Sequence, residues 1–301
     1  MPGIRLGRYP AARHTLVHLS DTHFLAGGAP LSGTVDTESS LDRAVRQLER
    51  LAGGVDAIVV TGDVTDLGEP DAYRRVRARL EPLAGRLGAR IVWVMGNHDE
   101  RGAFRAGLLD GPAVDDPVDT VADVDGLRIV ALDSTVPGYH HGELSDDRLA
   151  WLDEVLTEPA PSGTVIAMHH APLPTPLGIM DILELRDQDA FAEVVRGRDV
   201  RAILGGHLHY ATNGTFAGIP VAVAGAVSYT MDLSAPPREL RGIDGGRSLN
   251  LVHLFEEEVV TSVVPITEAR EVASFSAEVL ARLEAMTPEE RLEAFSRKPA
   301  G

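Results

Sequence analysis

Five times along the chain, a short run rich in Val, Ile, Leu and Ala stops at a cluster of small and polar residues. Residues 15–20 run into Asp21-Thr22-His23, and 57–61 into Gly62-Asp63-Val64-Thr65-Asp66. Residues 90–95 run into Gly96-Asn97-His98-Asp99, and 164–168 into His169-His170-Ala171-Pro172. Residues 200–204 pass through Gly205-Gly206 into His207-Leu208-His209. Each run is too short for a helix and reads as a strand buried on both faces. Such strands with helices between them require a layered α/β domain. In open α/β sheets ligands bind beyond the carboxyl ends of the strands, so the five segments can meet at one site.

The segments between agree with this reading. Leu41, Ala44, Val45, Leu48 and Leu51 form one helical stripe over 41–52, with Ser39 or Ser40 as its cap. Further helices are expected over 71–80 and 145–156. Asp125-Gly126 joins 121–124 to 127–132 as a hairpin. A second hairpin is expected over 212–216 and 220–224, and late strands over 248–254 and 259–264. The hairpins make the sheet mixed, or split it into two sheets packed face to face. Residues 267–301 are charged and helix-prone, with Pro288 separating two helices. The expected organisation is a catalytic domain over 1–266 and a helical C-terminal arm over 267–301.

Composition removes several classes of function. Cysteine is absent and Lys298 is the only lysine, which excludes thiolate chemistry and makes a P-loop or Schiff-base lysine untenable. A formal charge of −17 opposes binding to nucleic acid. Residues 1–15 contain no apolar signal segment, and Pro220 and Gly225 interrupt the longest apolar run, 219–227. No run reaches the roughly 20 residues of a membrane helix. A cytoplasmic protein without a transmembrane segment is expected.

Taken singly, each polar cluster has a plain structural explanation. Asp66 could cap a turn, Asn97 suits a left-handed turn, and His207 and His209 could lie on the surface. All five strand ends carrying Asp, Asn or His is a different matter. Nitrogen and carboxylate donors suit Mn, Fe or Zn better than Ca. They are too many for one tetrahedral ion and enough for two ions sharing a carboxylate. Two such ions, about 3.5–4 Å apart, clamp a phosphoryl group for in-line displacement.

The ordered set Asp21/His23, Gly62-Asp63, Gly96-Asn97-His98-Asp99, His169 and Gly206-His207-Leu208-His209 resembles the calcineurin-like metallophosphoesterases, and it spans about two-thirds of the chain. The resemblance implies a four-layer α/β/β/α sandwich with mixed sheets. It implies two divalent or mixed-valence ions of Fe, Mn or Zn. One would be held by Asp21, His23, Asp63 and His209, the other by Asp63, Asn97, His169 and His207. Attack by a metal-bridging hydroxide is implied, with His98, oriented by Asp66, protonating the leaving oxygen. Imidazole suits that role because it titrates near neutrality.

Tyr139-His140-His141-Gly142-Glu143-Leu144, residues 92–99 and His207-Leu208-His209-Tyr210 are similar to the bacterial, mycobacterial-type class III 3′,5′-cyclic nucleotide phosphodiesterases. That resemblance implies hydrolysis of cAMP to 5′-AMP and a homodimer. It makes His140 a catalytic residue near the substrate phosphate, alongside Asn97, His98 and His209. The same metals could serve 2′,3′-cyclic nucleotides or glycerophosphodiesters. A non-catalytic interaction protein on the same scaffold is the other class of reading. His170 either orients the site or only packs. Residues 173–180 form a wall of the base pocket or an ordinary loop.

Overall fold

The computed structural model describes residues 6–51 and 54–298. Part of the 1–15 stretch, Ala52 at the end of the expected first helix, and the last three residues of the arm lie outside the described residues. In chain order the elements are β1 (His14–Leu19), α1 (Thr37–Leu48), β2 (Ala57–Thr61), α2 (Pro70–Leu87), β3 (Arg90–Val94) and α3 (Arg101–Leu108). Next come β4 (Thr120–Val124), β5 (Leu127–Leu132), α4 (Asp146–Val155), β6 (Thr164–Met168), α5 (Gln188–Val195) and β7 (Val200–Gly205). Then follow β8 (Thr212–Phe216), β9 (Ile219–Val223), β10 (Thr230–Met231), β11 (Gly242–Ile243), β12 (Ser248–Leu254) and β13 (Val259–Pro265). Two helices, α6 (Ala277–Glu284) and α7 (Pro288–Arg291), lie in the C-terminal segment, with Pro288 opening the second.

Two mixed sheets form the centre. The first has the order β13-β12-β1-β2-β3 and the second β4-β5-β6-β7-β9-β8. Strands β1, β2 and β3 are parallel, as are β5, β6, β7 and β9; the other pairings within the two sheets are antiparallel. Side-chain alternation assigns every strand residue to a layer. On β2, Ala57 and Val59 face the second sheet, while Ile58 and Val60 face α1 and α2. On β6, Val165 and Ala167 meet the first sheet, while Ile166 and Met168 pack among residues of α4 and α5. Both faces of each central strand are therefore dry, and the layers run α/β/β/α.

Local details differ from propensity in two places. Asp36, not Ser39 or Ser40, caps α1, accepting from Ser39 N at 3.0 Å, so the helix begins at Thr37. Helix α2 runs through Pro82 to Leu87, where Gly88 caps it, rather than stopping near residue 80. Proline costs a helix one hydrogen bond, but Leu83, Ala84 and Leu87 beyond it are buried against the first sheet. Burial outweighs the break.

Candidate metal centre

The loops after β1, β2, β3, β6 and β7 meet at one end of the sandwich. The backbone is strained there. Asp21, His23, Asp63, His207 and His209 all have left-handed φ values, between +45° and +71°. Such conformations cost non-glycine residues about 1 kcal/mol or more and persist only where the surroundings enforce them. Gly96 lets the loops close: a Cβ there would collide with the backbone and carboxylate of Asp63.

Ligand atoms of Asp21, His23, Asp63 and His209 lie within 4.8 Å of one another, and all four residues are buried. His209 Nε2 is 3.3 Å from Asp21 Oδ1, and His23 Nε2 is 3.5 Å from Asp63 Oδ2. On the other side of Asp63, His169 Nε2 is 3.3 Å from the same Oδ2 and 3.1 Å from Asn97 Oδ1. Asp63 thus stands between two groups of donors. His207 lies against His169, with ring centroids 5.0 Å apart.

Outer hydrogen bonds fix the tautomer of each ring. His169 Nδ1 donates to the Thr61 carbonyl at 2.7 Å, and His209 Nδ1 to the Tyr229 carbonyl at 3.2 Å. His23 Nδ1 donates to Asp66 Oδ1 at 2.9 Å. In the neutral ring each therefore keeps its lone pair on Nε2, the atom facing the carboxylates. His207 is reversed: Nε2 donates to the Leu183 carbonyl at 3.0 Å, which leaves the lone pair on Nδ1. His170 has no such atom to spare. Its Nε2 donates to the His140 carbonyl at 3.2 Å, and its Nδ1 accepts from Ser134 Oγ at 2.8 Å.

The electrostatics fit a cation. Burial works against charge on His169, yet Asp63 beside it pushes the ring up to about 9. Asp21 likewise raises His209 against the effect of burial. Burial works against ionisation of Asp21 and Asp63, but the neighbouring rings hold both carboxyls below the usual range, Asp21 at about 2. His23, which burial dominates, is lowered, and His207 falls to about 3. The carboxylates are ionised and faced by ring nitrogens, and a divalent transition metal would displace the protons that His169 and His209 hold there.

Asp66 and His98 sit at the mouth. The Asp66 carboxylate is nearer His23 than His98, whose Nδ1 is 3.5 Å from it and donates to the Asp66 carbonyl at 3.1 Å. Asn97 Nδ2 donates to His140 Nδ1 at 2.8 Å, which turns Asn97 Oδ1 toward His169. The rings of His98 and His140 are 5.0 Å apart. His18 and His14 are buried in strand β1 and belong to none of the ligand groups, His18 being hydrogen-bonded to Thr61 Oγ1 beneath the cluster.

Sequence reasoning gave no role to Asp99 or Tyr229. Asp99 is buried and accepts from Gly96 N, Val64 N, Thr65 N and the Tyr73 hydroxyl, tying the β2 and β3 loops together. Burial, with Asp63 adding to it, pushes its carboxyl up to about 6. Its place directly after His98 was the available signal. Tyr229 carries none, because it lies outside every motif. Its ring is 4.3 Å from that of His209.

A cleft of about 380 Å³ opens over His23, Asp63, Asn97, His98, His140, His207 and His209, with Leu31, Met180, Leu183, Tyr229 and Met231 as its apolar walls. A larger cleft of about 1110 Å³ is lined by Glu143, Asp146, Glu184, Asp187 and Asp189 and would repel a phosphate. Of the 173–180 segment, Met180 reaches the metal cleft, whereas Pro176, Leu177, Gly178 and Ile179 line a separate groove.

The chain is similar to known proteins to differing degrees. A sequence profile of calcineurin-like phosphoesterases matches residues 14–211. A cAMP/cGMP dual specificity phosphodiesterase of Mycobacterium tuberculosis is 49% identical over 275 residues, 91% of this chain and 86% of the relative. A Rhodococcus erythropolis protein named as a probable cyclic nucleotide phosphodiesterase is 49% identical over 263 residues, 87% of each chain. Among solved structures, a dimetal phosphatase from Danio rerio superposes with a TM-score of 0.59 at 19% identity, covering 85% of this chain and 98% of its own. Among the described residues, no helix is long and apolar enough to cross a membrane.

Proposed function

The chain belongs to the calcineurin-like phosphoesterase family and is a metal-dependent phosphodiesterase; from that premise we propose that it opens the ring of 3′,5′-cyclic nucleotides, converting cAMP to 5′-AMP. The observation that carries the substrate is the 49% identity to the cAMP/cGMP phosphodiesterase over nine-tenths of the chain. In this reading Asp21, His23, Asp63 and His209 hold one ion, and Asp63, Asn97, His169 and His207 hold the other. Ions of Mn, Fe or Zn held there would supply the activation of water and the neutralisation of phosphoryl charge.

The remaining chemistry falls to the chain itself. Hydrolysis adds water across the bond from phosphorus to the 3′ oxygen, and the departing oxygen needs a proton. His98 supplies it. Its Nδ1 is held by the Asp66 carbonyl, so the transferable proton of the charged ring is on Nε2. His140 has Nδ1 engaged by Asn97, so its Nε2–H is free to donate to a phosphoryl oxygen. Asp66 holds His23 in its ligating tautomer. Residues 1–266 are the catalytic domain and 267–301 an arm, in a cytoplasmic homodimer.

The test is a hydrolysis panel on chelator-stripped protein reloaded with Mn²⁺. Its substrates are 3′,5′-cAMP, 2′,3′-cAMP, glycerophosphocholine and a nitrophenyl diester. The expected outcome is the highest kcat/KM on 3′,5′-cAMP, with Asn97→Ala lowering kcat about 100-fold or more. A higher kcat/KM on another substrate overturns the substrate. Wild-type turnover by Asn97→Ala at equal metal occupancy overturns the site.

A further inference from the structure

The cleft over the metal-ligand cluster does not end at the ligands. It adjoins a second cavity of about 360 Å³, and the two share Leu31, Ser32, Tyr229 and Met231. The first cavity is walled by imidazole, carboxylate and amide groups. The second continues between the turn carrying Leu31 and the short β10–β11 ribbon, where Val35, Leu240 and Ile243 supply apolar surface. The ligand cluster thus opens sideways into a slot whose apolar surface is joined by Ser32, Thr34 and Asp244.

The slot is tied to the metal centre by main chain. His209 Nδ1 donates to the Tyr229 carbonyl, and Met231 N donates to the His209 carbonyl at 3.3 Å. The Tyr229 ring lies over Gly242 on the neighbouring strand. A Cβ at Gly242 would come within 2.9 Å of Tyr229 Cε2 and 3.0 Å of Cδ2, so this ring position depends on the missing side chain. Among the described residues, the Tyr229 hydroxyl makes no hydrogen bond within the protein, and the ring lines both cavities. Leu240 and Ile243 are 45% and 43% exposed at the slot, so both are open to a ligand there.

Resting on the cyclic-nucleotide reading above, we infer that this slot is the nucleobase site. Tyr229 provides the stacking face, and Leu31 and Ile243 close the slot around the base. Aromatic faces bind every base, and each stacked base contributes strongly to affinity without sequence preference. Stacking makes no demand on the base edge, so the Tyr229 face accepts adenine and guanine alike.

The test compares 3′,5′-cAMP and 3′,5′-cGMP with methyl riboside 3′,5′-cyclic phosphate, which has the same ring phosphate and no base. Tyr229→Ala is expected to raise KM for both nucleotides about tenfold. It should reduce their preference in kcat/KM over the base-free ester by a similar factor. Tyr229→Phe restores the preference, because the ring face and not the hydroxyl carries it. Ile243→Ala, a surface change that spares folding, raises KM about threefold. An unchanged preference in Tyr229→Ala overturns the slot, as does Tyr229→Phe behaving like Tyr229→Ala. Failure of the wild type to hydrolyse either nucleotide overturns the activity itself, a separate outcome.

Discussion

The two halves of the proposed metal site share Asp63 and differ in charge and in ring tautomer. The half built from Asp21, His23 and His209 has a carboxylate of its own, is buried throughout, and meets the shared carboxylate through His23 Nε2. The half built from Asn97, His169 and His207 has an amide where the first has a carboxylate. It also uses a ring of the opposite tautomer and opens to the cleft at Asn97. A neutral amide neutralises less of a bound cation's charge than a carboxylate does. The first half should therefore grip its ion more firmly, and the second should leave its ion more electron-poor toward substrate. One half is built for retention and the other for reaction.

Losing the shared residue should have the largest effect. Asp63→Asn removes the charge common to both halves, and we expect kcat to fall about 1000-fold or more, with metal content dropping from two ions to one or none. Elemental analysis of the purified variant measures this, and retention of two ions would break the comparison. Asp66→Asn probes one half alone. It loosens His23, so the first ion should bind about 10–100-fold more weakly while the second is little changed. Competition with a chelator gives both constants, and equal weakening of the two would contradict the division.

The smallest effect separates the site from the fold beneath it. His18 is buried between the sheets, with Nε2 2.9 Å from Thr61 Oγ1, and burial pushes its pKa down to about 3. An unfolded histidine titrates near 6.5. The unfolded chain therefore takes up this proton first. The stability linked to His18 is present above pH 6.5 and lost as pH falls toward 3. The metal-free protein should show a falling Tm over that window, and His18→Gln should flatten part of the slope. No change in slope would assign the acid loss to the site rings instead.

The central strands were legible because a strand buried on both faces has little choice of composition, and 57–61 and 164–168 are strands as expected. The 125–126 turn was legible for the same local reason. Helices α3 and α5 were not, being only eight residues each with sparse apolar stripes. The clustered Asp, Asn and His side chains could be read as candidate ligands because each follows a strand end. The division of labour among them could not, since it depends on which ring nitrogen is engaged from outside. The Tyr229 slot was invisible because Leu31, Tyr229 and Ile243 come from three distant segments with no common period.

Of the four histidine rings proposed as ligands, three are aimed by main-chain oxygens, those of Thr61, Leu183 and Tyr229. A carbonyl belongs to every amino acid alike. Substituting the side chains at those positions leaves the aiming device in place, so a lineage can rewrite the neighbourhood of its metals while the rings keep pointing the same way. Only Asp66, which aims His23 with its side chain, lacks that insurance. Drift around this centre should therefore be uneven: free where the backbone does the aiming, and checked at one aspartate.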